Sequence, residues 1–349
     1  MIRSTVLLAL VVLVAATSEA KAQVLDRVKT TDGRSTRGTV VQMSSTEVVV
    51  ADKAGQDETI AVNRIDEIVY ASEPRLLTQA RSRMGNQRFE DALNALSELN
   101  EKAVSRNFIK QDVQFYRALC QARLALSGRG KLSVAGGAMH GFVSDAGNRD
   151  SYHYFEATRM LGELLAASGK HAKAIEYFGR LMKAPWPEYQ MRGHVLSAQA
   201  LMVQRKYEDA IRQFDQVLAA TEEGEEAERR RMIARLDKAV CLAEMEKADE
   251  GIQLINGVLP QIDPDERELR ARAFRARGLC YLKKDQKKDA LLDFLHVDLL
   301  YNSVPEIHAE VLFRLSKLWP ALGKGQRARE AAKLLKERYP NSRWAKEGT

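Results

Sequence analysis

The chain has 349 residues, 45% hydrophobic and 29% charged, a balance that excludes a wholly disordered polypeptide and is ample for a large core. Its net charge of +7 is spread along the sequence rather than gathered in one block, which reads as a solvated basic surface with a mild preference for acidic partners. Cys120, Cys241 and Cys280 are an odd number and too few for a disulfide framework.

Met1 to Ala22 has the form of a secretory signal. Arg3 supplies a charged start, Val6 to Ala16 a short apolar core, and Ala20-Lys21-Ala22 a small-x-small cleavage site. The apolar run is shorter than the roughly 20 residues of a spanning helix, and no later segment comes closer. The mature chain is therefore expected to start at Gln23 in the periplasm or cell envelope, with no transmembrane segment after signal removal.

Gln23 to Tyr70 has β texture. Val24 to Thr30, Gly38 to Met43, Glu47 to Ala51, Thr59 to Val62 and Ile65 to Tyr70 are five short candidate strands, separated by Asp32-Gly33 and Ala54-Gly55 turns. This spacing predicts a small closed or nearly closed barrel. The run DRVKTTDGRSTRGTVVQMSSTEVVV resembles SH3-like and Sm-like barrels. Some Sm-like barrels bind RNA, but the expected export argues against nucleic acid here.

After a junction at Ala71 to Pro74, helical periodicity continues to Lys346. The clearest unit is Tyr154 to Pro187, in which Leu161, Gly162 and Leu165 share one helix, Gly169 centres a turn, and Ala174, Phe178 and Leu181 recur on a second. A lone hairpin cannot bury its apolar face, so neighbours are required. Small residues open the interior of seven successive second helices: Ala92, Ala135, Ala174, Ala210, Gly251, Ala290 and Ala328, spaced by subtraction at 43, 39, 36, 41, 39 and 38.

This pattern resembles the tetratricopeptide repeat. The third hairpin, the sixth (Phe274, Gly278, Tyr281, Ala290, Phe294) and the seventh (Leu312, Leu315, Trp319, Ala328, Leu335) carry it best. The spacings exceed that family's period of about 34 residues, so helices or linkers are longer. Lys238 and Arg277 occupy a usually apolar place, which leaves the local packing register of the fifth and sixth hairpins open. Cys241 and Cys280 fall at one repeat position and read as small packing residues, and Trp186 as a plug between hairpins.

Gly128 to Gly147 is similar to a phosphate-binding loop only in glycine content. It lacks GxxxxGK[ST], GxGxxG and a preceding strand, and reads as the turn and second helix of the second hairpin. The six histidines have no metal-binding spacing, and no CxxC or GxSxG motif occurs. No catalytic residue, metal or cofactor is expected.

On the first helix of the sixth hairpin Arg272, Arg275, Leu279 and Lys283 share one face, and Ile233, Leu236 and Val240 share the equivalent face of the fifth. The resemblance implies that this face lines a concave groove, with an apolar strip beside a basic one. Such a groove suits a protein or peptide with hydrophobic anchors and acidic segments. The alternative is that the apolar residues pack on adjacent helices and the basic ones are merely solvated.

The predicted fold class is mainly α: a right-handed α-solenoid of about seven tetratricopeptide-like hairpins over 75–349, preceded by a small all-β barrel over 23–70 and a signal peptide over 1–22. The expected role is an exported non-enzymatic scaffold binding a protein or peptide on the concave face. An alternative is an envelope-surface module for acidic polysaccharide or cell-wall polymer, and a third is an accessory subunit of a partner enzyme. Protein isolated from its native host should have the intact mass of a chain starting at Gln23; retention of Met1 or Ile2 would overturn the export expectation.

Overall fold

The computed structural model describes residues 25–347, so the expected signal segment and the first residue of the first expected strand, Val24, lie outside the described residues. Five strands come first: β1 (Asp26–Thr30), β2 (Ser35–Met43), β3 (Glu47–Ala51), β4 (Asp57–Ala61) and β5 (Ile65–Val69). They form one antiparallel sheet in the order β4-β3-β2-β1-β5. Alternation along the strands turns Val28, Val40, Val48, Val50, Ile60 and Ile68 inward, which is why the β-branched run at 47–51 is a strand and not a helix. β4 and β5 are the two edges and do not pair, so the strands do not close into a full barrel; they form a small five-stranded antiparallel sheet, with a register shift in β2 between Val40 and Gln42.

Seven helical hairpins follow. They are α1 (Arg75–Gly85) with α2 (Phe89–Ser97), α3 (Asn107–Leu126) with α4 (Leu132–Ser144), α5 (Tyr154–Ala167) with α6 (His171–Leu181), and α7 (Pro187–Val203) with α8 (Tyr207–Ala219). Next come α9 (Glu225–Glu244) with α10 (Ala248–Val258), α11 (Arg267–Lys283) with α12 (Lys287–Leu300), and α13 (Pro305–Ala321) with α14 (Gly325–Arg338), before a short α15 (Arg343–Glu347). The seven small marker residues lie one on each second helix, and all are buried. The Gly-rich run folds as the α3–α4 turn, α4 and the residues just after it, as its periodicity predicts.

Each first helix ends in the same way. Two residues past it the chain turns through positive φ at Gln87, Gly128, Gly169, Arg205, Glu246, Asp285 and Gly323. At Gly169 the turn is closed by Lys170 N–H donating to Leu165 O at 2.8 Å and Gly169 N–H donating to Ala166 O at 2.9 Å. The same pair of bonds recurs at Lys206 to Leu201 and Arg205 to Met202, and at Lys247 to Leu242 and Glu246 to Ala243. The C-terminal carbonyls of each first helix are thus satisfied by the turn that starts the second.

Within a hairpin, an aromatic ring on the second helix sits on the small residue of the first. A Cβ added to Gly162 would lie 2.3 Å from the Phe178 ring, and one on Gly278 would lie 2.6 Å from the Phe294 ring. The residue that covers Gly162 is thus Phe178, one turn beyond the marker Ala174. Lys238 and Arg277 keep the packing register, because each is answered by a carboxylate: Lys238 by Asp215 on α8 of the preceding hairpin at 2.5 Å, and Arg277 by Asp293 on α12 of its own hairpin through two bonds of 2.8 Å. Cys241 and Cys280 are buried free thiols, and burial pushes them up to about 12, as it does Cys120. Trp186 lies edge-on to Phe155 at 5.9 Å and against Tyr189 at 5.1 Å, at the seam between the third and fourth hairpins.

Two opposite effects of alanine follow from this packing. Gly162→Ala should destabilise by about 1–3 kcal/mol, because its methyl meets the buried Phe178 ring. Gly179→Ala on α6, where a Cβ meets nothing within 4 Å, should stabilise by about 0.5–1 kcal/mol through helix propensity. Urea melts of the two variants check this, and effects of the same sign would show the helical phase to be wrong.

Candidate functional surface

Several successive first helices touch one another, α3 on α5, α7 on α9 and α9 on α11, whereas α5 and α7 are joined mainly through α6, and each second helix packs on the first helices of its own and the next hairpin. The first helices therefore line the inner side of the curve. The curve is tight enough that its end returns towards its start. A Cβ on Gly128 would lie 4.0 Å from Asn341 Nδ2, and burial together with the charge of Arg343 lowers the pKa of His171.

Counting back from the positive-φ residue aligns the inner faces. Thirteen residues before it stand Glu156, Arg192, Ile233, Arg272 and Glu310, and ten before it Arg159, Val195, Leu236, Arg275 and Phe313. Four of the seven predicted groove residues, Ile233, Arg272, Leu236 and Arg275, stand on these rows, with Val240 and Leu279 six residues before the turn and Lys283 two before it, but they do not form an open groove. Leu236, Val240 and Leu279 are buried among neighbouring helices and Ile233 is half-buried, so the apolar strip is packing surface.

The basic residues are neither free nor merely solvated. Arg275 donates through Nε to Glu310 of α13 at 2.6 Å and faces Asp237 of α9 at 4.0 Å. Arg272 donates to Glu268 at 3.1 Å and stands 3.6 Å from Asp237, which also accepts from Gln199 of α7 at 2.9 Å. Lys283 reaches Glu244 at 2.7 Å. Four first helices are stitched in this way, and Asp237 is its buried centre at 3% exposure. Burial raises the pKa of the Glu310 carboxyl, but Arg275 and Arg314 outweigh it and hold the group below its usual range.

The N-terminal half is fixed by a second buried network. Arg81 pairs with Glu73, with Glu67 at 3.0 Å and with Asp112 at 3.1 Å, and Asp112 also bonds His153 at 3.0 Å. Arg106 forks onto Asp26 at 2.7 and 2.9 Å, while Asp26 accepts from the Val40 and Ala71 amides at 2.7 and 2.6 Å. These bonds bind the sheet to the first helices.

Between the two networks the inner face is cationic and less closed. Arg123 and Arg192 are exposed and form no ion pair among the described residues. With Arg159 they hold Glu156 below its usual pKa against the upward push of burial. Burial and Arg192 together lower the pKa of Arg230 on α9. Neither Arg123 nor Arg192 stood out in the sequence; only the alignment on positive φ puts Arg192 on the inner row. Among the described residues no group of three or more His, Cys, Asp and Glu is placed to hold a metal ion, and no helix is long and apolar enough to cross a membrane.

A model of the tetratricopeptide repeat matches residues 195–267. Among solved structures, the chain is similar to a tetratricopeptide repeat protein of Parabacteroides merdae, with 17% identity and a TM-score of 0.59 over 78% of this chain and 96% of that one. It is also similar to a Rap protein complexed with competence and sporulation factor, with 13% identity and a TM-score of 0.57 over 78% and 79% of the two chains. NprR in complex with its cognate peptide NprX matches with 13% identity and a TM-score of 0.55 over 78% and 80%. No curated protein matches. The fold is a tetratricopeptide-like helical array behind a small antiparallel sheet.

Because Arg275 and Glu310 are buried partners, removing one leaves the other short of its main counter-charge. Arg275→Ala should cost about 3–5 kcal/mol in urea unfolding at neutral pH. Lys283→Ala, at an exposed pair, should cost less than about 1 kcal/mol. Glu310 has a depressed pKa when folded, so the stabilisation is present above the unfolded carboxylate value of about 4.3 and is lost as pH falls through the lower folded value. The gap between wild type and Arg275→Ala should narrow accordingly in acid.

Proposed function

We propose that this protein is an exported, non-enzymatic scaffold that holds an extended acidic peptide or protein segment on the inner face of its helical array. The observation that carries this reading is the curl of the array: Asn341 comes back beside Gly128 at the α3–α4 turn, and such a curl favours a thin segment over a globular surface on the inner side. Arg192 on that face, and Arg123 whose charge also reaches Glu156 there, are in no ion pair among the described residues and supply positive charge for carboxylates. The likeness to NprR with its cognate peptide supports the reading at the level of fold. Export rests on Arg3, the Val6 to Ala16 apolar core and the Ala20-Lys21-Ala22 site. The contact region proposed here is α3 to α9, in place of the α9 to α11 strip, whose residues already have partners.

Selection from a library of displayed random peptides should enrich acidic sequences. Their binding, read by fluorescence anisotropy, should weaken with salt and fall at least about tenfold in the double variant Arg123→Glu, Arg192→Glu, with the circular dichroism spectrum unchanged. Failure to enrich any peptide, with retention on anionic cell-wall polymer instead, would transfer the role to polymer binding.

A further inference from the structure

A second location recurs in two hairpins and is not on the inner face. Eleven residues before the positive-φ turn, on the first helix, stand Arg117 in the second hairpin and Arg235 in the fifth. Six residues past the small marker, on the facing second helix, stand Gly141 and Gly257. Elsewhere the seam is filled: in the sixth hairpin the equivalent pair is Phe274 and His296, stacked at 4.5 Å, and in the fourth His194 bonds Gln213 at 2.8 Å. Arginine opposite glycine leaves it open, and clefts of about 290 Å³ beside Arg117 and about 470 Å³ beside Arg235 result.

The two arginines differ in what they hold. Arg117 is occupied by its own chain: its guanidinium pairs with Glu101 in the segment before α3 and donates to Leu96 O at the end of α2 at 2.7 Å. In the fifth hairpin the corresponding segment before α9 is taken by Arg231, which donates to Ala220 O at 2.8 Å and to Glu222 O. Arg235 is left half-buried, with no ion pair or hydrogen bond among the described residues. Leu254 and Val258 line the cleft beside it, and Gln253 adds an exposed amide.

We propose that the α9–α10 cleft is a receptor for a carboxylate on an extended partner segment, with Arg235 taking the place at its carboxylate that Arg117 takes at Glu101. A planar guanidinium favours a carboxylate because two parallel N–H donors match two oxygens. The aliphatic side chain next to that carboxylate packs on Leu254 and Val258, and Gln253 reaches the peptide backbone. The carboxylate is either an Asp or Glu side chain or a chain terminus. Glu250 stands at the exposed edge of the same cleft and opposes the bound charge, so it limits affinity. The site is independent of the inner-face reading, since Arg235 lies on a different face of α9 from Leu236 and Val240.

Three dipeptide probes test it on the full chain: acetyl-Glu-Leu-amide carries a side-chain carboxylate, acetyl-Gln-Leu a terminal one, and acetyl-Gln-Leu-amide none. The readout is the nuclear magnetic resonance shift of the Arg235 Nε–H group, assigned by its loss in Arg235→Gln. At least one charged probe should bind about tenfold or more tightly than the neutral probe, and the one that does identifies the source. Gly257→Leu, where an added Cβ meets nothing within 4 Å, keeps Arg235 and should weaken that binding about tenfold by filling the cleft. Glu250→Gln should strengthen it. Equal binding of the neutral probe, no shift up to about 10 mM, or undiminished binding in Gly257→Leu would overturn the proposal.

Discussion

Seven times along the chain a first helix stops in a residue held at positive φ, and the rest of the array takes its phase from that turn. Only Gly128, Gly169 and Gly323 of the seven are glycines; Gln87, Arg205, Glu246 and Asp285 adopt the same conformation with side chains, at φ between 57° and 64°. Left-handed backbone costs an L-residue roughly 1–2 kcal/mol. The cost is offset because the turn closes two orphan carbonyls at each helix end and brings the second helix onto the first at a fixed offset. That offset puts Phe178 on Gly162 and Phe294 on Gly278, and a shift of one residue would replace those contacts with clashes.

A fixed phase also decides which side chains meet across hairpins. The inner rows repeat at intervals of 36 to 41 residues by subtraction of the turn positions, so charges distant in sequence become neighbours. Asp237, Arg275 and Glu310 come from three hairpins, and the Arg275 guanidinium faces a carboxylate on each of the two adjacent first helices. Buried charges demand such compensation, because an unpaired one would cost several kcal/mol. The result is an inner face that is polar yet largely self-satisfied in its C-terminal half, where it serves as a brace. The part from α3 to α9 keeps exposed arginines, Arg123 and Arg192, that form no ion pair among the described residues, and that difference is electrostatic rather than a matter of shape.

Much of the fold was legible in the sequence because it is local. The small marker in each second helix, the phenylalanine four residues later in three of them (Phe178, Phe214 and Phe294) and the Asp32-Gly33 turn all act within one hairpin or strand pair. The groove was less legible. Arg272 and Arg275 are on the face the periodicity predicts, but their occupancy depends on Asp237 and Glu310, each 35 residues away by subtraction, and nothing in a single helix reports that. The burial of Leu236 and Val240 depends on how closely successive first helices approach, which follows from the curvature of the whole array. Which strands stand at the edges of the sheet was illegible for the same reason: strand spacing sets pairing between neighbours in sequence, not the long-range pairing of β1 with β5 that leaves β4 at the other edge.

Repeat arrays can vary a single position without altering the phase, and the seam eleven residues before the turn shows the physical consequence. With Phe274 the seam is plugged by stacking on His296, and with His194 it is closed by a hydrogen bond. With arginine it opens, and the outcome then turns on whether the preceding segment offers a carboxylate. Glu101 does so for Arg117, whereas in the fifth hairpin Arg231 has already taken the carbonyls that segment presents. Stability and vacancy are thus separable here: the phase that holds the array together is set by backbone turns and ring-on-glycine contacts. Seam residues such as Arg235 are left to take up surface chemistry at little cost to the fold.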